Sequence, residues 1–262
     1  MTVCISTLCK DQNKAIVAAD RMITDRGIPI EFQSSESKFK PFENEEVTFV
    51  FTSAGSALLP ARFKRDFDKH LDSIQTVNEA SELAKHSHIE AKRSKFEEVI
   101  LAPRGISIDD FYNEGMHNTQ RGKEWDGLLS DLSLDLDIII AGVDQTGAHT
   151  YRVTDRGEIN GLVESFDELG FDAIGSGASL ARDSLTSRYS TDLSLEETLY
   201  VVYAALENAS HAPGVGYEYD IAIIGKNGVD RLPSEAINQL EESYEEHEKP
   251  TTVPDGVDDL LD

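Results

Sequence analysis

The chain is 262 residues long, enough for one large domain or two small ones with a buried core. It carries 49 Asp plus Glu against 24 Lys plus Arg, a formal charge of −25, which disfavours phosphate backbones and anionic membrane surfaces as partners. The excess fits either a protein working in very high salt, where screening shortens sharply, or an acidic protein with a charged tail.

Residues 2–9 read as a strand of β-branched and small residues, Lys10–Lys14 as a polar turn, and Ala15–Ala19 as a second apolar run ending at Asp20-Arg21. That is a hairpin, and it starts the chain inside a sheet. Cys4 and Cys9 fall on opposite faces of the first strand and do not pair there; with no other cysteine, no disulfide framework exists, which fits a reducing cytoplasm. The opening residues have no basic n-region or long apolar stretch, so they are not a signal peptide, and no membrane span is expected.

Glu46–Phe51 reads as a strand that runs into a small-residue turn, Thr52–Ser56. From 57 to about 100 the spacing predicts helix, with Leu58, Phe63, Phe67, Leu71 and Ile74 on one face, until Pro103 and Gly105 break it. Residues 106–135 hold short amphipathic pieces around Trp125. Asp137–Gly142 is a strand apolar on both faces, with Thr150–Val153 as its partner across a turn at Gln145–Gly147. Phe171–Ile174 leads through Gly175-Ser176-Gly177 into a helix at 178–190. Ser194 with Glu197 starts another that runs to Ala209, and Tyr219–Ile224 is the last clear strand. From Pro233 the chain becomes an acidic tail, helical to about Glu248 and disordered from Pro250. Strands, two helices, strands, two helices and a strand make an α+β layered sandwich, not a regular βαβ array. The domain is expected over 1–232, with a helical stretch at 75–135 and the tail at 233–262.

The chemistry starts at Thr2. Methionine is normally trimmed before a small residue, so Thr2 would carry the free α-amine. An α-amine has a pKa of about 7.7–8.0, so roughly a third is neutral near pH 7.5, and it already sits beside the hydroxyl that needs a base. The segment Thr2-Val-Cys-Ile-Ser-Thr-Leu-Cys-Lys-Asp, the turn, and Ala15-Ile-Val-Ala-Ala-Asp20-Arg21 resemble the opening hairpin of mature proteasome β subunits, a family of N-terminal-nucleophile hydrolases. The likeness covers about 2–56 and 137–230 and extends to Ser37-Lys38-Phe39, Ala54-Gly55-Ser56, Gly175-Ser176-Gly177 and Asp220-Ile-Ala-Ile-Ile.

The resemblance implies a four-layer αββα sandwich with Thr2 as catalytic threonine, Asp20 as the buried acid, and Lys38 beside the nucleophile. It also implies Gly55 N–H in the oxyanion hole, Ser176 near the terminal amine, and Thr24 binding substrate backbone. It implies peptide or amide hydrolysis through an acyl-enzyme, with no cofactor or metal, in the cytoplasm, by a homo-oligomeric ring; an ATPase partner cannot be read. The segment Asn208–Asp220 departs from the pattern, since the family's Asp and Ser before the last strand are not evident; Ser210 and His211 are candidate substitutes. Residues 75–135 are longer than in typical β subunits. No propeptide is expected before Thr2. Two other readings stay open: a non-catalytic ring or scaffold subunit, and a ligase or transpeptidase passing the acyl group to an amine. Gly175-Ser-Gly177 is too incomplete for a dinucleotide loop, and His86 and His88, two apart in a helical stretch, are expected to be solvated and not metal ligands.

Overall fold

The computed structural model describes residues 2–9, 13–25, 30–34, 37–56, 59–154 and 162–248. Strands β1 (Val3–Cys9) and β2 (Lys14–Asp20) form the expected antiparallel hairpin, Cys4 opposite Ala19 and Cys9 opposite Lys14. They lie inside a sheet ordered β10-β1-β2-β11-β12, with β10 at Phe171–Gly175, β11 at Tyr219–Gly225 and β12 at Gly228–Arg231. A second sheet is ordered β5-β6-β7-β8-β9: Lys40–Glu43, Thr48–Gly55, Leu136–Asp144, Gly147–Thr154 and Leu162–Ser165. Both are antiparallel throughout. β3 (Met22–Asp25) and β4 (Ile30–Gln33) make a separate two-stranded ribbon.

Period-two alternation in fully apolar strands explains the layers. On β1 and β2, Val3, Ile5, Ile16 and Ala18 face helices α5 (Ala178–Arg188) and α6 (Leu195–Ser210). Their neighbours Cys4, Leu8, Val17 and Ala19 face the other sheet, meeting Val50, Ile139, Ala141 and Val143 from β6 and β7. The far side of β6 and β7, through Phe49, Phe51, Ile138 and Ile140, packs on α1 (Pro60–His70) and α2 (Val77–Phe96). Helix, sheet, sheet, helix is the four-layer sandwich. Cys4 and Cys9 fall in different layers, as the alternation requires.

Several boundaries differ from the sequence reading. Thr52–Gly55 is strand, not turn, because β7 continues to pair through Gly55 and Leu136. The helical stretch from 57 divides at the 3-10 turn Leu71–Ser73, and α2 restarts with a capping box in which Thr76 and Glu79 satisfy each other's backbone amides. The stretch at 75–135 also divides. α2 is a full member of the outer layer, whereas a satellite core of Phe96, Leu101, Phe111 and Leu129 gathers the π turn Glu97–Leu101, α3 (Ile108–Asn113) and α4 (Gln120–Asp131). His86 is exposed as expected, but His88 is buried, facing Phe63 beneath α2. The start of the acidic tail is α7 (Ser234–Glu248), which lays Ile237, Leu240 and Tyr244 on the α6 layer. The disorder expected from Pro250 falls outside the described residues, as does most of the first hairpin's turn.

The Phe67 ring of α1 meets Phe42, Phe49 and Phe51 at centroid distances of 4.9, 5.3 and 5.9 Å, joining helix to sheet. Phe67→Ala is expected to lower unfolding free energy by about 3–5 kcal/mol, read from denaturant midpoints.

Candidate active site

Thr2 sits just ahead of β1 and is buried. Its backbone nitrogen donates to Ser176 Oγ at 3.1 Å. Its carbonyl accepts from the Ser176 hydroxyl and from Gly177 N–H, both at 3.3 Å. The Gly175–Gly177 turn between β10 and α5 therefore wraps the first residue. Gly175 has φ +96°, and a Cβ there would lie 2.2 Å from Thr2 O, so only glycine lets the turn approach this closely.

The Thr2 hydroxyl donates to Asp20 Oδ1 at 2.6 Å. Asp20 ends β2 on the strand beside Thr2 and is almost wholly buried, at 1% exposure. The same oxygen accepts Lys38 Nζ at 2.7 Å and Val3 N–H at 2.9 Å. Its other oxygen accepts Met22 N–H at 3.2 Å and Gly216 N–H at 3.1 Å. Charge-assisted bonds of this kind fix a buried carboxylate in place. Hydroxyl and ammonium thus meet at one acid oxygen, which fixes the Thr2 hydroxyl and the Lys38 ammonium relative to each other.

Gly55 closes β6 at the same end of the sandwich. Thr52 Oγ1 donates to Cys4 Sγ at 3.3 Å and Cys4 Sγ reaches Ser53 O at 3.6 Å, fastening the strand two residues before Gly55 to the strand two residues after Thr2. Burial pushes the Cys4 thiol up to about 11, so it stays protonated and is no rival nucleophile. Gly55 has φ +115°, and a Cβ there would lie 1.7 Å from Asp135 O, which itself accepts Ser56 N–H at 3.0 Å.

Of the residues singled out in the sequence, Thr2, Asp20, Lys38 and Ser176 are in direct hydrogen-bonded contact, and Gly55 stands at the adjoining strand end. Thr24 lies in β3 opposite Glu31. The two candidate substitutes face elsewhere: Ser210 Oγ donates to Glu207 O at 2.7 Å, and His211 is exposed at the end of α6. The segment that lacks the family's Asp and Ser contributes a backbone amide instead, that of Gly216. Sequence reasoning missed it because a main-chain donor leaves no residue-type signal. Arg21 holds this segment from the other side, its N–H on Glu218 O at 2.9 Å and its guanidinium on Asp220 at 2.6 Å.

Comparison with known proteins points to the same fold. The Proteasome subunit family matches residues 130–224. Proteasome subunit beta 2 of Thermofilum pendens is 35% identical over 97 residues, covering 35% of this chain and 42% of that protein. Proteasome subunit beta 1 of Korarchaeum cryptofilum is 32% identical over 104 residues, covering 39% and 47%. The chain thus spans less than half the length of these curated relatives. Among solved structures, Anbu, described as an ancestral beta-subunit, from Yersinia bercovieri superposes with a TM-score of 0.63 at 14% identity, over 97% of this chain and 99% of that one. A Gly-1 mutant of Anbu from Hyphomicrobium sp. strain MC1 gives 0.61 at 14%, over 97% and 100%. In fold over nearly the whole chain, and in sequence over residues 130–224, this protein is similar to proteasome-class subunits. Within that class its sequence matches are to β-type subunits.

Replacing Lys38 by Met would leave the Asp20 carboxylate without its cation in a buried setting. The expected result is a loss of about 3 kcal/mol in denaturant unfolding. Gly55→Ala forces a Cβ onto a backbone oxygen at positive φ, and a drop of more than about 2 kcal/mol is expected in the same assay.

Proposed function

We propose that this chain is a threonine peptidase or amidase whose nucleophile is Thr2 Oγ1, freed for catalysis by removal of Met1. The reading rests on the convergence at Thr2 of Asp20, Lys38 and Ser176, with the hydroxyl 2.6 Å from the acid and the nitrogen 3.1 Å from the serine. Once Met1 is gone, that nitrogen becomes an amine. Ser176 accepts one of its hydrogens and donates its own to Thr2 O, so the amine lone pair stays free for the hydroxyl proton. The alkoxide attacks a substrate carbonyl, Gly55 N–H stabilises the developing oxyanion, and the amine returns the proton to the leaving group. Water then hydrolyses the ester. Thr24 would hold substrate backbone. Assembly into a homo-oligomeric ring and residence in the cytoplasm belong to this reading as well; among the described residues no helix is long and apolar enough to cross a membrane.

The non-catalytic ring-subunit reading draws on one observation: the hydroxyl donates to the acid Asp20 and not to the amine or the lysine.

The mature mass decides between them. Catalysis predicts loss of Met1, a single adduct on Thr2 from a threonine-directed electrophile such as a peptide epoxyketone, and abolition of both adduct and peptide hydrolysis in Thr2→Ala. A chain that retains Met1, or an unmodified Thr2 with T2A equal to wild type, establishes the scaffold role.

A further inference from the structure

A second cluster of reactive side chains lies at the opposite end of β7 from Gly55. β7 ends at Asp144, the β7–β8 turn carries Thr146, β8 carries His149, and the β9–β10 connection carries Asp167. His149 Nδ1 is 2.7 Å from Asp167 Oδ2, and Nε2 is 2.7 Å from Thr146 Oγ1. Acid, imidazole and hydroxyl in that order suggest a nucleophile and its base. Counting protons excludes it.

Thr146 Oγ1 is also 2.6 Å from Asp144 Oδ1. One hydroxyl proton cannot serve both neighbours. If it goes to a neutral Nε2, two oxygens that both lack a proton face each other at 2.6 Å. If it goes to Asp144, Nε2 must carry a proton of its own. The Asp167 carboxylate requires a proton on Nδ1 in the same way. Both ring nitrogens therefore donate, and His149 is an imidazolium held between two carboxylates. Asp144 Oδ1 lies 3.4 Å from Nε2.

Asp144 is buried, and its second oxygen accepts the Val77 N–H at 2.9 Å, in the first turn of α2. Asp167 Oδ1 accepts Thr150 N–H at 2.8 Å. One imidazolium thus ties together the β7–β8 hairpin, the β9–β10 connection and, through Asp144, the start of the outer-layer helix. We propose that Asp144, Thr146, His149 and Asp167 form a proton-dependent clasp, which pins the N-terminal turn of α2 to the sheet while His149 is charged and releases it on deprotonation.

Among the described residues, the titratable side chains around the ring are Asp144 from β7, Asp167 from the β9–β10 connection and Tyr151 from β8, whose ring stands 6.3 Å away. Burial raises the Tyr151 phenol, so it stays neutral throughout. Glu46, from the β5–β6 turn, bonds Gln145 beside Asp144. Among the described residues α2 brings the Val77 amide to the cluster. The hydrogen bond to Asp167 raises the His149 pKa, against burial, and Asp144 raises it further. A raised folded value means the stabilisation is full below the unfolded value of about 6.5 and is lost as pH rises through the folded one. Deprotonation at Nε2 leaves its lone pair and the Asp144 carboxylate competing for one Thr146 hydroxyl proton, and the turn relieves this by moving Asp144 off the helix.

The test uses the full chain. Imidazole nitrogen shifts in ¹⁵N-labelled protein are expected to show His149 protonated at both nitrogens at pH 6.5. Exchange protection of the Val77 amide, corrected for intrinsic rate, is expected to fall as pH rises. The fall is about tenfold for each pH unit by which the folded titration stands above 6.5. His149→Gln should abolish that dependence, and Asp167→Asn, which keeps the ring, should move the midpoint to lower pH. A His149 neutral at pH 6.5, or a Val77 profile identical in wild type and both variants, overturns the clasp. Should H149Q fail to fold, the D167N midpoint and the wild-type nitrogen shifts decide the matter.

Discussion

The Asp20 carboxylate accepts hydrogen bonds from five donors contributed by four parts of the chain. They are the Thr2 hydroxyl and Val3 amide at the start of β1, Met22 N–H beyond β2, Lys38 Nζ ahead of β5, and Gly216 N–H ahead of β11. A buried carboxylate is tolerated only when its oxygens are saturated and its charge is matched. Asp20 is therefore a folding constraint before it is a chemical group. The first strand, the path to Lys38 and the approach to β11 must all arrive for it to be satisfied. The geometry that any chemistry at Thr2 would use is the geometry that lets the sandwich close.

The sandwich meets this constraint through strands buried on both faces. Because β1, β2, β6 and β7 are apolar on each side, a one-residue slip would exchange two kinds of core without exposing either to water. Register must then come from polar and steric pins. Ser6 and Thr150 bond across the two sheets at 2.7 Å, and Asp172 of β10 meets Arg152 of β8 and Arg182 of α5. At the Thr2 end, Cys4 holds β1 against Thr52 and Ser53. The backbone of Asp135, just before β7, leaves no room for a side chain at Gly55. These few contacts specify which residue of one sheet faces which residue of the other.

Much of this was legible in the residues. Apolar runs punctuated by Lys10–Lys14, Gln145–Gly147 and Gly175–Gly177 gave the long central strands, and Ser194 with Glu197 gave the start of α6. The strands that escaped, β3, β4, β5, β9 and β12, are four residues each. Such segments carry too few residues for alternation to register, and neighbours decide their conformation. At the candidate site, the meeting of Thr2, Asp20, Lys38 and Ser176, with Gly55 at the adjoining strand end, was readable through a family resemblance carried by residue type. The Gly216 amide was not, since any non-proline residue supplies one. The surroundings of His149 and His88 were hidden for another reason. Whether a histidine is solvated, buried or clasped depends on what the topology folds over it, and Asp167 is brought to His149 by pairing between β8 and β9.

The burial of Thr2 would set an order of events for the removal of Met1 that the proposed function requires. An enzyme that trims the first residue must draw the bond ahead of Thr2 into its own cleft, with the following residues extended and unpaired. In the folded chain Val3 and Cys4 are already laddered to Gly175 and Ile174, and the Thr2 nitrogen is tied to Ser176. Those partners lie far downstream and do not exist until the ribosome reaches them. At about 5–20 residues per second, that delay is roughly 10–35 s. On the proposed reading, in which Met1 is removed, that interval is the window open to trimming, set by the topology that puts β10 next to β1. Strand order would then act as a clock, and a chain trimmed too slowly would be sealed by its own later residues.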